Sequence, residues 1–406
     1  MNIVLVHYAA PPIIGGVESV IGQHARLMSD AGHSVSIIAG RGEQTDERIP
    51  FVKLPLVDSR HKEILAIKTD LDKGRMPKEF SLLVNRIRSQ LLEAIAGADW
   101  LIAHNVCSLN KNLALSAALK QIANEGAGPR FILWHHDLAW TTPRYRDELH
   151  DGYPWDLLCQ DWPEATQVVV SEPRRNELAQ LINVSKERIH VVPNGVNAAR
   201  FWNLSEETEN LCRQLDLLSA DPLILLPVRI TPRKNIELAL NVLVSLRRHF
   251  RNARLVVTGP LGPHNPANVQ YFERLVSLRR ELQIEENAYF LAELADKPLS
   301  DEVMADLYRI SDLLFFPSKE EGFGIPILEA GLAGIPVFCA DIAPLRELGG
   351  FEVNYFGLDD NPIQISDLMI KSLESSPLFG LRKRVLRDYS WDKVYTNHIA
   401  PLFAEG

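Results

Sequence analysis

The sequence predicts an α/β protein with two doubly wound parallel sheets, and two observations support this prediction. The chain has 406 residues, which is more than one ordinary hydrophobic core accommodates. Strand-like apolar runs alternate with helical patterns through its first half, and the alternation starts again at "DPLILLPVRI" (221–230). Strands that alternate with helices form parallel sheets covered on both faces. We therefore expect two such domains, with a boundary near 200–220.

The first half begins with "NIVLVHY" (2–8), an apolar run typical of a buried strand. A loop rich in proline and glycine leads to "GVESVIGQHARLMSDAG" (16–32), whose apolar residues recur at helical spacing. Gly32 suits the end of this helix, and "SVSIIAG" (34–40) is the next expected strand. Further strands are expected at 98–104, 130–136, 167–172 and 189–194.

The second half repeats this order after the strand at 221–230. Helices are expected at 235–250, near 266–283 and at 300–311, and strands at 253–259, 288–293, 312–318 and 336–341. Ligands of open α/β sheets bind beyond the carboxyl ends of the strands. Polar residues that directly follow a strand are therefore the candidates for function.

Composition excludes several classes of protein. A net charge of -9 argues against a general nucleic-acid binder. No apolar run approaches the ~18 residues of a transmembrane helix, and the first strand lacks the basic flank of a signal peptide. The four cysteines are scattered, without metal-type spacing, as in a reduced cytosolic protein. We expect a cytoplasmic protein with neither a membrane span nor a nucleic-acid partner.

The stretch "SKEEGFGIPILEAG" (318–331) carries carboxylates beside a predicted helix start. Pro326 suits the first position of a helix, which would place Glu329 in its first turn and Glu321 in the preceding loop. Free backbone N–H groups at Gly324 could meet a phosphate there. We interpret the stretch as a nucleotide-sugar cradle, in which Glu321 accepts sugar hydroxyls and Glu329 accepts ribose hydroxyls. The alternative for Glu329 is simple stabilisation of the helix dipole.

Cations and glycines follow other predicted strands. Arg229 and Lys234 flank a strand-to-helix loop, where two cations could neutralise a diphosphate. Gly15 and Gly16 precede the first helix, where a backbone can approach an anion, although a plain tight turn is the alternative. The loop lacks the GxGxxG pattern of dinucleotide-binding proteins.

Histidines and tryptophans follow the predicted strand at 130–136. His135 and His136 point to opposite faces if the strand continues, so only one of them can face a ligand. Trp140 and the other tryptophans between 134 and 162 could stack on a sugar or belong to the core. The "DLD" at 70–72 matches a metal-binding DxD, but no buried strand precedes it, so we interpret it as surface.

These motifs together resemble a known family. "EGFGIPILE" is similar to the E-x7-E motif of retaining GT-B glycosyltransferases, most of all those of the GT4 family. Glu321 and Glu329 have the spacing of that motif, whereas Glu320 does not. The resemblance extends along the chain through "GGVE" (15–18), "VPNGVN" (192–197), "RITPRKNIELAL" (229–240), "DIAPLRELGG" (341–350) and "DYSWDKV" (388–394), with Asn197 where the family usually has aspartate.

The resemblance implies a GT-B architecture of two Rossmann-like domains that face each other across a deep cleft. The first domain would span 1–205, with a returning C-terminal helix at 386–406, and would bind the acceptor. The second domain, 206–385, would bind the donor. The implied catalytic residues are His136, Glu321, Arg229 and Lys234, with His135 as the alternative to His136. The implied donor-binding residues are Gly15, Gly16, Phe323, Gly324, Ile325 and Glu329, and the acceptor-binding candidates are His104, Asn105, His135 and Trp140.

The implied activity is that of a hexosyltransferase, which would transfer glucose or mannose from an NDP-sugar to an acceptor hydroxyl with retention. The acceptor would be a sugar, a sugar acid or a lipid-linked molecule. Neither a metal nor a resident cofactor is expected, because the cations would neutralise the diphosphate and the NDP-sugar is a co-substrate. A sugar phosphorylase, a nucleotide-sugar epimerase and a non-catalytic sugar-nucleotide binder are the alternatives.

Overall fold

The computed structural model describes residues 1–126, 128–261, 266–294 and 298–404. It divides the chain into two compact units. The first contains Met1–Gly195 and the segment that begins at Trp391, and the second contains Val196–Ser390. The chain thus leaves the first unit after Gly195 and returns to it at Trp391, whereas the expected boundaries were 205 and 386.

The first unit is built on a parallel sheet of seven strands. The strands are β1 (Asn2–Ala9), β2 (Ser34–Arg41), β3 (Phe51–Lys53), β4 (Trp100–His104), β5 (Arg130–His135), β6 (Ala165–Val169) and β7 (Ile189–Val191), in the spatial order β3-β2-β1-β4-β5-β6-β7. Its helices are α1 (Gly16–Asp30), α2 (Lys62–Leu71), α3 (Phe80–Ala94), α4 (Leu113–Asn124) and α5 (Glu172–Leu181).

Both faces of this sheet are buried, which explains why its strands are continuous apolar runs. Along β1, Val4 and Val6 belong to one hydrophobic cluster, and Ile3 and Leu5 belong to the cluster on the other face. Successive side chains of a strand point to opposite faces, so each face needs its own covering layer. Helix α1 provides part of one layer.

The second unit is built on a parallel sheet of six strands. The strands are β8 (Leu223–Leu226), β9 (Arg254–Val257), β10 (Ala288–Phe290), β11 (Leu313–Phe316), β12 (Val337–Ala340) and β13 (Asn354–Phe356), in the order β10-β9-β8-β11-β12-β13. Its helices are α6 (Ala198–Trp202), α7 (Glu206–Leu215), α8 (Ile236–Leu246), α9 (Pro266–Glu281), α10 (Asp301–Ile310), α11 (Ile325–Ala333), α12 (Ala343–Gly349), α13 (Pro362–Glu374) and α14 (Pro377–Asp388). Strands β8 and β11 are neighbours, so the loops that follow them emerge at the same sheet edge.

The C-terminal return is not the continuous helix expected from 386 onwards. Helix α14 ends at Asp388. The next two residues pair with Val196, where the chain first passes from one unit to the other. The N–H of Val196 donates to the carbonyl of Tyr389 (2.7 Å), and Val196 forms a parallel bridge with Ser390. The chain then continues as α15 (Trp391–Val394), a π-helix at Tyr395–Ile399 and a 3-10 helix at Ala400–Phe403.

The side chain of Trp391 explains why residue 195 is a glycine. A Cβ atom on Gly195 would lie 2.5 Å from Cδ2 of the indole, closer than side chains tolerate. This contact gives "VPNGVN" a structural reason for its glycine. Across the described ranges, no helix is long and apolar enough to span a bilayer.

Candidate functional site

The loops after β8 and β11 place a cation and a carboxylate in direct contact. Lys234 ends a short 3-10 turn, and its Nζ donates to Oε1 of Glu321. Only 10% of the Lys234 side chain and 9% of the Glu321 side chain are exposed. The loops are also joined through the backbone, where the N–H of Lys319 donates to the carbonyl of Arg233 (2.8 Å). The adjacent Glu320 is exposed.

Helix α11 begins directly after this pair. Gly324 caps it with φ of 110°, in the left-handed region that favours glycine, and a Cβ there would lie 2.6 Å from the side chain of Leu345. Pro326 is the second helical residue, so Glu329 lies in the second turn and not in the first turn that the sequence suggested. The effect of the helix dipole is concentrated at the terminal turn, which weakens the dipole interpretation of Glu329. Tyr308 of α10 donates its hydroxyl to Oε2 of Glu329 (2.6 Å).

The remaining predicted donor residues of the second unit are exposed. Phe323 and Ile325, on either side of Gly324, are 55% and 57% exposed. Arg229 is also exposed, although Val228 and Ile230 beside it are buried. These side chains are available to a ligand at the same edge of the sheet.

Gly259, which the sequence did not single out, supports the backbone at Arg229. A Cβ on Gly259 would lie 1.9 Å from the carbonyl oxygen of Val228 and 2.5 Å from Cα of Arg229. Only glycine allows the two chain segments to come this close. The signal in the sequence was a glycine two residues after the strand "RLVV".

In the first unit, Gly15 and Gly16 form the start of α1. Gly15 is the N-cap, with extended backbone and no side-chain cap bond. Among the described residues, nothing lies within 4 Å of a Cβ built on Gly16. Internal packing therefore does not demand a glycine at position 16, and the space beside it is open.

The two adjacent histidines have different environments. His135 ends β5 and is buried, and its Nε2 lies 2.8 Å from the side-chain oxygen of Gln167. His136 follows the strand and is half-buried, and its Nε2 lies 3.4 Å from Nδ1 of His104. His136 is therefore the more accessible of the two.

The two other acceptor candidates of this unit make internal hydrogen bonds. Asn105 is buried, and its side-chain oxygen accepts bonds from the N–H groups of His136 (2.9 Å) and Asp137 (3.1 Å). Trp140 is half-buried and donates its indole N–H to the carbonyl of Trp155 (3.1 Å). Their predicted contacts with an acceptor remain predictions.

Burial keeps this histidine cluster neutral. It lowers the pKa of His136 and of His135 to about 4, and it lowers the pKa of His104 well below the ordinary value. His7 of β1 lies beside them, with its Nδ1 2.7 Å from the carbonyl oxygen of His104 and its pKa lowered to about 4 by burial. Neutral imidazoles can exchange hydrogen bonds with sugar hydroxyls without carrying a charge.

The "DLD" stretch has partners of its own. Asp72 accepts hydrogen bonds from Lys68 (2.7 Å), and Asp70 accepts one from Arg75 (2.5 Å). Within the part of the chain that the structure describes, no group of histidines, cysteines and carboxylates has the arrangement of a metal site.

Two doubly wound parallel sheets, with a cation–carboxylate pair and a glycine-capped helix after adjacent strands, define a GT-B glycosyltransferase. Comparison with known families supports this assignment, and the matches cover nearly the whole chain. Residues 14–200 match Glycosyltransferase Family 4, and residues 207–385 match Glycosyl transferases group 1. The chain belongs to the GT4 glycosyltransferases.

Two curated relatives and one solved structure are similar to this chain. Mannosylglucosylglycerate synthase of Petrotoga mobilis is 26% identical, over 88% of this chain and 87% of the relative. The MMP alpha-(1->4)-mannosyltransferase of Mycolicibacterium hassiacum is 25% identical, over 98% and 97%. The solved structure of Anabaena HepE in complex with UDP is 15% identical, covers 100% of both chains and has a TM-score of 0.38.

Proposed function

We propose that the protein is a retaining, metal-independent hexosyltransferase of the cytoplasm. It transfers glucose or mannose from an NDP-sugar to an acceptor hydroxyl and forms an α-glycosidic bond. The observation that carries this proposal is the largely buried pair of Lys234 and Glu321 beside the start of α11. In this pair, a cation that could bind a diphosphate lies beside a carboxylate that could accept hydrogen bonds from sugar hydroxyls.

The donor diphosphate is assigned to Arg229 and Lys234. Two cations can offset the charge that develops on the leaving diphosphate, which is the task of a metal in other transferases. Lys234 bonds to Glu321 in the described structure, so the donor replaces part of that bond with its own oxygens. Glu321 then accepts hydroxyls of the hexose, and Glu329 accepts hydroxyls of the ribose.

Gly16 is assigned to the donor phosphate, and His136 is assigned to the transferred sugar. The acceptor hydroxyl attacks the face from which the diphosphate leaves, and a leaving phosphate oxygen takes its proton. The protein therefore acts mainly by positioning the reactants and stabilising charge. One of the two relatives is named a mannosyltransferase, and the name of the other contains a mannosyl group, which supports mannose as the first hexose to test.

A donor screen tests this proposal. We would incubate the full chain with UDP-glucose, GDP-mannose, ADP-glucose and UDP-galactose, each with and without EDTA, and measure donor hydrolysis and thermal stabilisation. One donor should raise the stability by about 2.7 kcal/mol when its concentration is 100 times its dissociation constant. Proton NMR of the product formed with an acceptor should show the α-anomer. A β-anomer would disprove retention, and loss of turnover in EDTA would disprove metal independence.

Neighbouring glutamates provide a matched pair of variants. Glu321→Gln should remove most of the turnover, because an amide cannot replace the carboxylate that pairs with Lys234. Glu320→Gln should retain turnover, because Glu320 is an exposed neighbour. Equal effects in both variants would contradict the assignment of Glu321.

The alternatives give different results in the same screen. A phosphorylase would depend on inorganic phosphate, and an epimerase would change the sugar while it remains attached to the nucleotide. A non-catalytic binder would be stabilised by a donor without turnover.

A further inference from the structure

The end of β4 supports the loop that carries His136. His104 is the last residue of β4, and Asn105 is the next residue. We propose that Asn105 is a positioning residue, whose side-chain oxygen holds the backbone of His136 and Asp137 in place for the transfer reaction. This inference rests on the proposed function, because it requires His136 to contact the transferred sugar.

The hydrogen bonds occur where the sheet ladder ends. The last residue of β5 in register with β6 is His135, opposite Val169. Beyond it, Oδ1 of Asn105 accepts the N–H groups of His136 (2.9 Å) and Asp137 (3.1 Å). The hydroxyl of Ser108 donates to the same oxygen (3.3 Å). One buried oxygen thus fixes two consecutive peptide groups after the strand.

The conformation of Asn105 explains why this position needs asparagine. Its φ of 60° lies in the left-handed region, which asparagine and aspartate tolerate better than most residues. Its own N–H donates to the carbonyl of Trp134 (2.8 Å), which ties it to β5. Glycine would allow the backbone but would lack the oxygen, and alanine would have neither advantage.

His104 contacts the side chain of His136. Its Nδ1 lies 3.4 Å from Nε2 of His136, so His104 supports the ring of His136 while Asn105 supports its backbone. Both supports come from consecutive residues of one buried segment, in which His104 is 0% and Asn105 is 3% exposed. An error of about 1 Å in the placement of a reacting group can reduce the rate of an enzyme about 10²-fold.

Three variants and one matched control test the inference. The variants are Asn105→Ala, Asn105→Gly and Asn105→Asp. The control is Asn112→Ala, because Asn112 is also buried in the first unit and its oxygen also accepts a backbone N–H, that of Leu115. Hydrogen exchange of the full chain would be measured by mass spectrometry on peptides that cover 130–140. Turnover would be measured with the NDP-hexose that the donor screen identifies.

We expect faster exchange of the His136 and Asp137 amides in the alanine and glycine variants of Asn105. Their kcat should fall by about 10²-fold, with a smaller change in KM for the donor. Asn105→Asp keeps an acceptor oxygen and should restore amide protection and much of the turnover. Asn112→Ala should change neither the exchange of 136–137 nor kcat, even if it lowers stability.

Unchanged exchange at 136–137 in Asn105→Ala would overturn the inference, and so would faster exchange with unchanged kcat. If the wild type turns over none of the donors, the proposed function fails. In that case the role of Asn105 in transfer falls with it, and the exchange data still decide whether Asn105 holds the loop.

Discussion

The Nζ of Lys234 bonds to Oε1 of Glu321 across the loops that follow neighbouring strands β8 and β11. Removal of Lys234 leaves a largely buried carboxylate, whose remaining cation is the half-exposed Arg233 at 4.0 Å. Lys234→Met should lower the free energy of unfolding by about 3 kcal/mol and should abolish stabilisation by the donor. The double variant Lys234→Met/Glu321→Gln should recover part of the stability but none of the donor effect.

Urea unfolding with and without donor measures both quantities. Lys319→Met is the control, because Lys319 is an exposed cation of the neighbouring loop. A full donor response in Lys234→Met would rule out a diphosphate contact by this residue.

Tyr308 orients a carboxylate through one hydrogen bond, its hydroxyl to Oε2 of Glu329 (2.6 Å). Tyr308→Phe should raise KM for the donor about tenfold, since a hydrogen bond to a charged group contributes about 1.5–3 kcal/mol, and should change kcat little. Tyr271→Phe is the matched control, because Tyr271 donates to Glu237 over the same distance (2.6 Å) in the same unit. Steady-state kinetics on both variants decide whether Glu329 matters for donor binding. Equal KM values in the two variants would show that it does not.

Gly259 controls the position of Arg229 by letting the backbones touch. Gly259→Ala should displace residues 228–229 and weaken donor binding by about tenfold or more, because Arg229 is assigned to the diphosphate. Gly380→Ala, in α14, should have no such effect, since no described atom lies within 4 Å of its added Cβ. Calorimetric titration with the donor measures the difference. Normal affinity in Gly259→Ala would separate Arg229 from the donor.

His24 makes the stability of the first unit depend on pH. It is fully buried, neither ring nitrogen has a hydrogen-bond partner among the described residues, and burial lowers its pKa from 6.5 to about 3. Below pH 6.5 the unfolded chain binds a proton that the folded chain excludes, so stability falls as the pH falls from about 6.5 towards about 3. The loss from this residue is about 2 kcal/mol at pH 5.

His24→Leu should therefore flatten the pH dependence of unfolding between pH 7 and pH 5. His249→Leu is the control, because the side chain of His249 is 46% exposed. Urea titrations at both pH values measure the slopes. An unchanged slope in His24→Leu would mean that this histidine takes up a proton to the same extent in the folded and the unfolded chain.

Much of the fold could be predicted because buried parallel strands are apolar on both faces and stand out in the sequence. The two strands without a sequence prediction, β3 (Phe51–Lys53) and β13 (Asn354–Phe356), lie at the sheet edges. Each has three residues and is only partly buried, so neither produces a long apolar run. The break at Tyr389–Ser390 was also invisible, because it depends on pairing with distant Val196.

The sequence predicted which loops carry the candidate site, but it did not predict the contacts between their side chains. The motif spacing distinguished Glu321 from Glu320, and in the structure the side chain of Glu321 is largely buried while Glu320 is exposed. The contact with Lys234 spans 87 positions, so local pattern cannot show it. Tyr308 and Asn105 were missed as supporting residues for the same reason. Their roles depend on which elements are neighbours in space.

The paired connections make the second unit an insertion in the first. The chain leaves the first unit after Gly195 and re-enters it at Trp391, and the two ends of the intervening segment are bonded to each other through Val196 and Tyr389. Residues 196–390 are therefore one continuous segment whose two ends lie next to each other. This topology lets the second unit be excised without cutting any of its own strands, and the first unit can be closed by joining two residues already in contact.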